Sequence, residues 1–254
     1  MGWEAVVAFG WPALALMACA ALLVGISKTS FGGIGAVAAA LFALSMPAKE
    51  STAAVLLLLI VGDLVGVLRY GRNVRWSLIG RLLPTIVPGL LLGAVFMHVV
   101  DDVTMRRSIG GILLASVALQ VWQRQRRDDT QPPPEHTSRL VAGATGAAAG
   151  FTTMTANAAG PVMALYFLAV RLDKHKFIGT NAWFFFLVNL TKVPLAASLG
   201  LFSPTVLVLD LALVPIVLVG TLIGVWVIKR VSQRQFERVT IVAAGASALL
   251  LLLR

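Results

Sequence analysis

The sequence predicts an all-α integral membrane protein made of two inverted-topology repeats of about five helical segments each, with broken or short helices at the repeat starts. Three observations carry this. The 254 residues are 58% hydrophobic and 13% charged, with a mean hydropathy of +0.89, too little charge to cover a soluble surface of this size. Apolar runs long enough to cross a bilayer recur along the chain and are separated by short basic clusters. Residues at matching spacings recur on either side of a proline-rich linker.

In chain order, runs of spanning length cover 5–26, 52–70, 77–99, 104–122, 177–198, 206–228 and 236–253. Three shorter runs cover 33–46, 139–152 and 158–170. At about 1.5 Å per residue these shorter runs rise about 20 Å, against a hydrocarbon core of roughly 30 Å, so they are expected as tilted spans or as half-helices that stop near the middle. The start, Met1-Gly2-Trp3-Glu4, carries no basic stretch before the first apolar run, so the first helix is expected to be retained rather than cleaved as a signal. Pro132-Pro133-Pro134 cannot continue a helix and extends the one long polar linker. The expected organisation is therefore a first transmembrane repeat over 1–122, a cytoplasmic linker over 123–138 and a second transmembrane repeat over 139–254.

Net charge is +10, which in a soluble protein would point to nucleic acid. Here the cations cluster between apolar runs and form no basic face with interleaved aromatics, so no nucleic-acid partner is expected. Arg69, Arg72 and Arg75, then Arg124, Arg126, Arg127 and Arg139, then Arg171, Lys174 and Lys176, then Lys229, Arg230 and Arg234 all fall on one side if the chain makes ten passes with both termini outside. Re-entrant pairs in place of full spans would keep that sidedness and move the termini. The single cysteine, Cys19, and three scattered histidines, His98, His136 and His175, give neither a disulfide nor a metal spacing, and no cofactor is expected. A membrane enzyme would need a nucleophile and base, or a metal cluster, at depth, and the sequence offers none.

Gly25, Gly35, Val37, Ala39, Phe42 and Lys49 align at constant offset with Gly150, Gly160, Val162, Ala164, Phe167 and Lys174. Further on, Pro84, Gly89 and Gly93 align with Pro215, Gly220 and Gly224. Proline and GxxxG are frequent in membrane helices for kinks and close packing, but the shared order favours duplication. With five segments per half, the second half enters the membrane from the opposite side, an architecture associated with secondary transporters.

Each half opens with an apolar helix, a small polar break and a short helix. The first break is Gly25-Ile26-Ser27-Lys28-Thr29-Ser30-Phe31-Gly32-Gly33, and the second is Gly150-Phe151-Thr152-Thr153-Met154-Thr155-Ala156-Asn157. Small residues let the backbone leave helical geometry, hydroxyls can cap the helix that follows, and its free N–H groups favour an anion. Two such breaks meeting near the midplane would make a substrate site; an ordinary surface loop with a lysine among the headgroups is the alternative. Lys28 is the sole charge in the first break, and a cation at depth should meet an anion or snorkel to the interface.

Within 177–198, Asn181, Asn189 and Lys192 share an arc of roughly 80° at about 100° per residue, and Phe185 shares it too. The stripe fits either a lined cavity or hydrogen bonds between helices. Asp63 lies in mid-run of an apolar stretch; it is a candidate coupling residue that could carry a proton, or a partner for Lys28 or Lys192. Asp210 lies close to the outer end of its run and is expected at the interface.

The first break, the Asp63 to Arg69 helix end, and the stretch Gly179-Thr180-Asn181-Ala182-Trp183-Phe184-Phe185-Phe186-Leu187-Val188-Asn189-Leu190-Thr191-Lys192-Val193-Pro194 together resemble the TauE/SafE family, over nearly the whole chain. The second break is richer in threonine than that resemblance leads one to expect. The resemblance implies export of sulfite or of organosulfur anions such as sulfoacetate across a bacterial cytoplasmic membrane. The expected partners are thus a small anionic substrate and the lipid bilayer. The candidate substrate-binding residues are Ser27, Lys28, Thr29, Ser30, Thr152, Thr155, Asn157, Asn181, Asn189 and Lys192, with transport by rocking one half against the other. A passive anion channel and a non-transporting assembly subunit are the alternatives, and the GxxxG pairs leave a homo-oligomer open.

Overall fold

The computed structural model describes residues 2–29, 34–125, 139–160, 162, 163, 166, 174–230 and 233–253. Among these, every regular element is an α-helix. In chain order they are α1 (Gly2–Val7), α2 (Trp11–Thr29), α3 (Ile34–Ser45), α4 (Ala48–Tyr70), α5 (Trp76–Val99), α6 (Asp102–Gln125), α7 (Arg139–Ala156), α8 (Lys174–Ser198), α9 (Pro204–Arg230) and α10 (Gln233–Leu253). Trp11–Thr29, Ala48–Tyr70, Trp76–Val99 and Pro204–Trp226 are each long and apolar enough to cross a membrane. The twelve residues of α3 rise about 18 Å, short of the roughly 30 Å core, as the sequence leads one to expect.

Three expectations need correction. The first run is two helices, because Gly10 takes a left-handed φ of 80° and Pro12 opens the helix that follows. That second helix then runs on to Thr29 instead of breaking at Gly25. Likewise α7 runs through to Ala156 rather than ending at 152, so the second break starts at Asn157. The hydroxyls explain both extensions. Ser27 donates to the Val24 carbonyl at 2.7 Å, Thr152 to Ala148 at 2.9 Å and Thr155 to Phe151 at 2.8 Å. Each hydroxyl satisfies its own helix, so the polar residue continues it. Residues 30–33, with most of the linker and much of 158–170, lie outside the described residues.

The two halves interlock. α2 packs on α9 and α7 packs on α5, so the first long helix of each half rests on the proline–glycine helix of the other. Glycines permit the contact. A Cβ at Gly25 would overlap the Val217 carbonyl oxygen and lie 2.7 Å from the Thr221 nitrogen, and one at Gly150 would overlap the Ile86 carbonyl oxygen and lie 2.9 Å from the Leu90 nitrogen. Gly220 meets the Leu22 carbonyl as Gly89 meets that of Ala147. Gly224 meets Thr29 and Ile26 as Gly93 meets Met154 and Phe151. The paired residues stand at the same steps from Pro215 and Pro84, and both helix pairs run parallel.

Two apolar clusters fill the interior. One gathers Ile79, Leu82, Ile86 and Leu90 of α5, Ile109 of α6, Met154 of α7 and Phe184 and Val188 of α8. The other gathers Val6, Met17, Ala20 and Val24 near the start of the chain, Phe42 of α3, Leu58 of α4 and Leu209, Leu213 and Val217 of α9. Large apolar side chains also face outward, among them Trp11, Leu68, Val99, Leu211 and Leu222. Apolar surface outside and charge inside is the arrangement for a lipid solvent. Between the clusters α4 runs antiparallel to α8, and their contact carries the polar interior.

Candidate functional site

Four helices deliver one continuous polar network. Lys28, in the last turn of α2, places its ammonium 2.6 Å from Asp63 Oδ1 on α4. Its stem fits because Gly62, one residue before Asp63, has no side chain: a Cβ there would lie 2.8 Å from Lys28 Cγ. The same ammonium stands 5.1 Å from the ring centre of Phe185 on α8, a cation–π distance. Asp63 is 1% exposed, and its second oxygen accepts a hydrogen bond from Asn189 Nδ2 at 2.7 Å.

Asn189 passes the network on. Its amide oxygen accepts from Lys192 Nζ at 3.5 Å, one helical turn further along α8. Lys192 also donates to Thr153 Oγ1 at 3.4 Å and, most closely, to Asn157 Oδ1. Asn157 Nδ2 in turn donates to the Thr52 carbonyl at 3.1 Å, where α4 begins. A lysine has three N–H donors, and here all three have an acceptor. Two of those bonds sit at the long limit for N–H···O, so the ammonium is firmly held by Asn157 alone.

Asn157 does two things. Its φ of 51° is left-handed, and its N–H bonds the Thr153 carbonyl at 3.1 Å, which ends α7 in an αL cap. Asparagine tolerates that geometry where alanine does not. Asn157→Gly should keep the turn and lose the amide, and Asn157→Ala should lose both. The alanine variant is expected to be about 1 kcal/mol less stable than the glycine variant, the αL cost of a Cβ, measured by denaturant unfolding of purified protein.

Of the residues singled out from sequence, Lys28, Asp63, Asn157, Asn189 and Lys192 come together, with Phe185 beside them. Ser27, Thr152 and Thr155 spend their hydroxyls on carbonyls of their own helices, and Thr29 donates to the Thr221 carbonyl at 2.7 Å, tying α2 to α9. Asn181 is half-buried about 12 Å along α8 from Asn189, at the level where Thr180 and Trp183 bond the 71–75 turn. Ser30 lies outside the described residues. Asp210, expected at the interface, is 4% exposed with neither oxygen hydrogen-bonded among the described residues. It shares the buried face of α9 with Val206, Leu209 and Leu213, a face set by packing that distance from the helix end does not reveal. Thr153 and the Thr52 carbonyl were not foreseen, although Thr153 stands four residues before Asn157 and so shares its helix face.

Two cavities flank this region. One, of about 220 Å³, is lined by Leu83, Pro84, Ile86, Val87, Leu90, Val188 and Thr191, an apolar wall that gives an anion little to hold. The other is a crevice lined by Ser51, Thr52, Ile109, Ala156 and Asn157, too narrow for a water molecule. Dryness strengthens every charge interaction beside it.

No curated protein and no solved structure matches the chain. A family model described as sulfite exporter TauE/SafE matches residues 17–251, a span that includes each residue of the Lys28–Asp63–Asn189–Lys192–Asn157 network. That match covers nearly the whole chain, and the chain belongs to the TauE/SafE family.

Proposed function

We propose that the protein is a secondary transporter that moves sulfite or a small sulfonate such as sulfoacetate out across the bacterial cytoplasmic membrane, with its site on the Lys28–Lys192 network. The observation that carries this is a charge count. Among the described residues the network holds two lysines, one from each half, and one carboxylate, which pairs with Lys28, so with both lysines protonated it carries one net positive charge. A charge there is costly, and a bound monoanion cancels it. A sulfur oxyanion offers three acceptor oxygens to Lys28, Lys192 and the amides of Asn157 and Asn189, each a charge-assisted or neutral donor. Lys192 has two long bonds to exchange for a stronger acceptor.

The same reading takes 1–122 and 139–254 as inverted-topology repeats joined by a cytoplasmic linker over 123–138, with the basic loops inside. The matched glycine contacts of α2 on α9 and of α7 on α5 support it. They also favour moving bodies other than the halves themselves: α2 would travel with α9, and α7 with α5.

The test is efflux from proteoliposomes loaded in turn with sulfite, sulfoacetate, taurine and sulfate. Saturable flux of one sulfur anion is expected in wild type. In Lys28→Ala it should fall about tenfold or more, as loss of one charge-assisted hydrogen bond implies. Flux of none of the four would remove the substrate assignment, and unsaturable flux would make the protein a channel.

A further inference from the structure

Asp63 poses a question that the substrate alone does not answer. A protein that binds an anion on two lysines has no obvious use for a carboxylate between them. Yet Asp63 sits on the line from Lys28 to Lys192: one oxygen takes the Lys28 ammonium at 2.6 Å and the other takes Asn189, whose own oxygen receives Lys192. The charged and polar groups facing it are Lys28 from α2 and Asn189 and Lys192 from α8, with Asn157 and Thr153 of α7 one bond further away. An anion bridging both lysines would have to approach this carboxylate at a few ångströms, where like charges repel strongly in a dry site. Anion and carboxylate therefore suit alternation better than coexistence.

Resting on the transport reading above, we infer that Asp63 is a built-in stand-in for the transported anion. It neutralises Lys28 while the carrier turns around without cargo, and releases Lys28 when the anion binds. Lys28 is 13% exposed and Asp63 1%, so the pair is shielded enough for a missing counter-charge to be felt. Without the carboxylate, the loaded carrier holds one net positive charge, the same as the unloaded wild type, and still turns. The unloaded carrier must carry two unneutralised ammonium groups through the apolar interior, which costs more.

The experiment separates these two steps. Full-length protein in proteoliposomes, with the membrane potential clamped and labelled sulfite as probe, is assayed for exchange with sulfite saturating on both faces and for net efflux into sulfite-free buffer. Asp63→Asn should keep exchange within about threefold of wild type while net efflux falls about tenfold or more, the penalty of an unpaired cation in the turnaround. Asp63→Glu, which keeps the carboxylate, should keep the wild-type ratio of net to exchange flux. Lys28→Met with Asp63→Asn, which needs no stand-in, should restore the ratio even though both rates drop. An Asp63→Asn ratio equal to that of wild type would overturn the inference, as would a double variant whose ratio stays low. Should Asp63→Asn not fold, the double variant and Asp63→Glu carry the test. Sulfite binding by calorimetry is a second arm: tighter binding in Asp63→Asn supports a competing carboxylate and weaker binding overturns it. Wild type that exchanges no sulfite faults the transport reading itself, and the binding arm still decides the role of Asp63.

Discussion

Lys192→Met should leave a folded protein that transports about a hundredfold more slowly than wild type. Methionine nearly matches the length of lysine and keeps the site filled, so packing around α8 survives. What goes is the ammonium, 1% exposed and bonded to Thr153, Asn157 and Asn189. Loss of a charge-assisted contact to the anion costs about 1.5–3 kcal/mol, and the orphaned amide oxygens add about 1–3 kcal/mol of stability loss. Flux from proteoliposomes, read beside a melting curve in detergent, separates the two effects. A variant that folds and transports like wild type would make Lys192 a structural tie between α7 and α8 and nothing more.

Gly89→Ala should be the most damaging change of a single methyl group. Its Cβ would overlap the Ala147 carbonyl oxygen and stand 2.8 Å from the Phe151 nitrogen. Both are backbone atoms, so no rotamer relieves the clash and α5 must part from α7. A cost of about 3 kcal/mol or more is expected, at the upper end for overpacking. Gly220→Ala should behave alike, against the Leu22 carbonyl. Gly80→Ala on the same α5 helix is the control: a Cβ there meets nothing within 4 Å, so the change should be neutral or stabilise by up to about 1 kcal/mol. Yield of monodisperse protein and thermal melting of the three variants give the comparison.

Most helix ends could be read from the sequence within a few residues, because prolines, glycines and charges mark them chemically. The breaks could not. Ser27, Thr152 and Thr155 look like residues that interrupt a helix, and a hydroxyl bound to the carbonyl a turn behind does the opposite. Nothing local distinguishes the two outcomes. The pairing of Lys28 with Asp63 was within reach, since both are charges in apolar runs and neither can stay bare. Asn181 shows the limit of helical phase: it shares an arc with Asn189 and Lys192, but the arc fixes direction and not depth, and the neighbours at its level belong to the 71–75 turn. The interlock was hidden for a similar reason. Matching Pro-x4-Gly-x3-Gly blocks relate α5 to α9 in sequence without saying which helix each one holds.

The exchange of helices between the halves constrains how the chain is made. Synthesis delivers α2 well before its partner α9, so the notched face around Gly25 waits in lipid while α3 to α8 are inserted. α5 waits less, since α7 follows it just beyond the linker. The order of assembly is thus set by connectivity: the α5–α7 seam closes first and the α2–α9 seam last. A ribosome that stops before residue 204 leaves a product with its α2 glycine seam unfilled, a lasting mark by which a chain cut short there differs from one that carries α9.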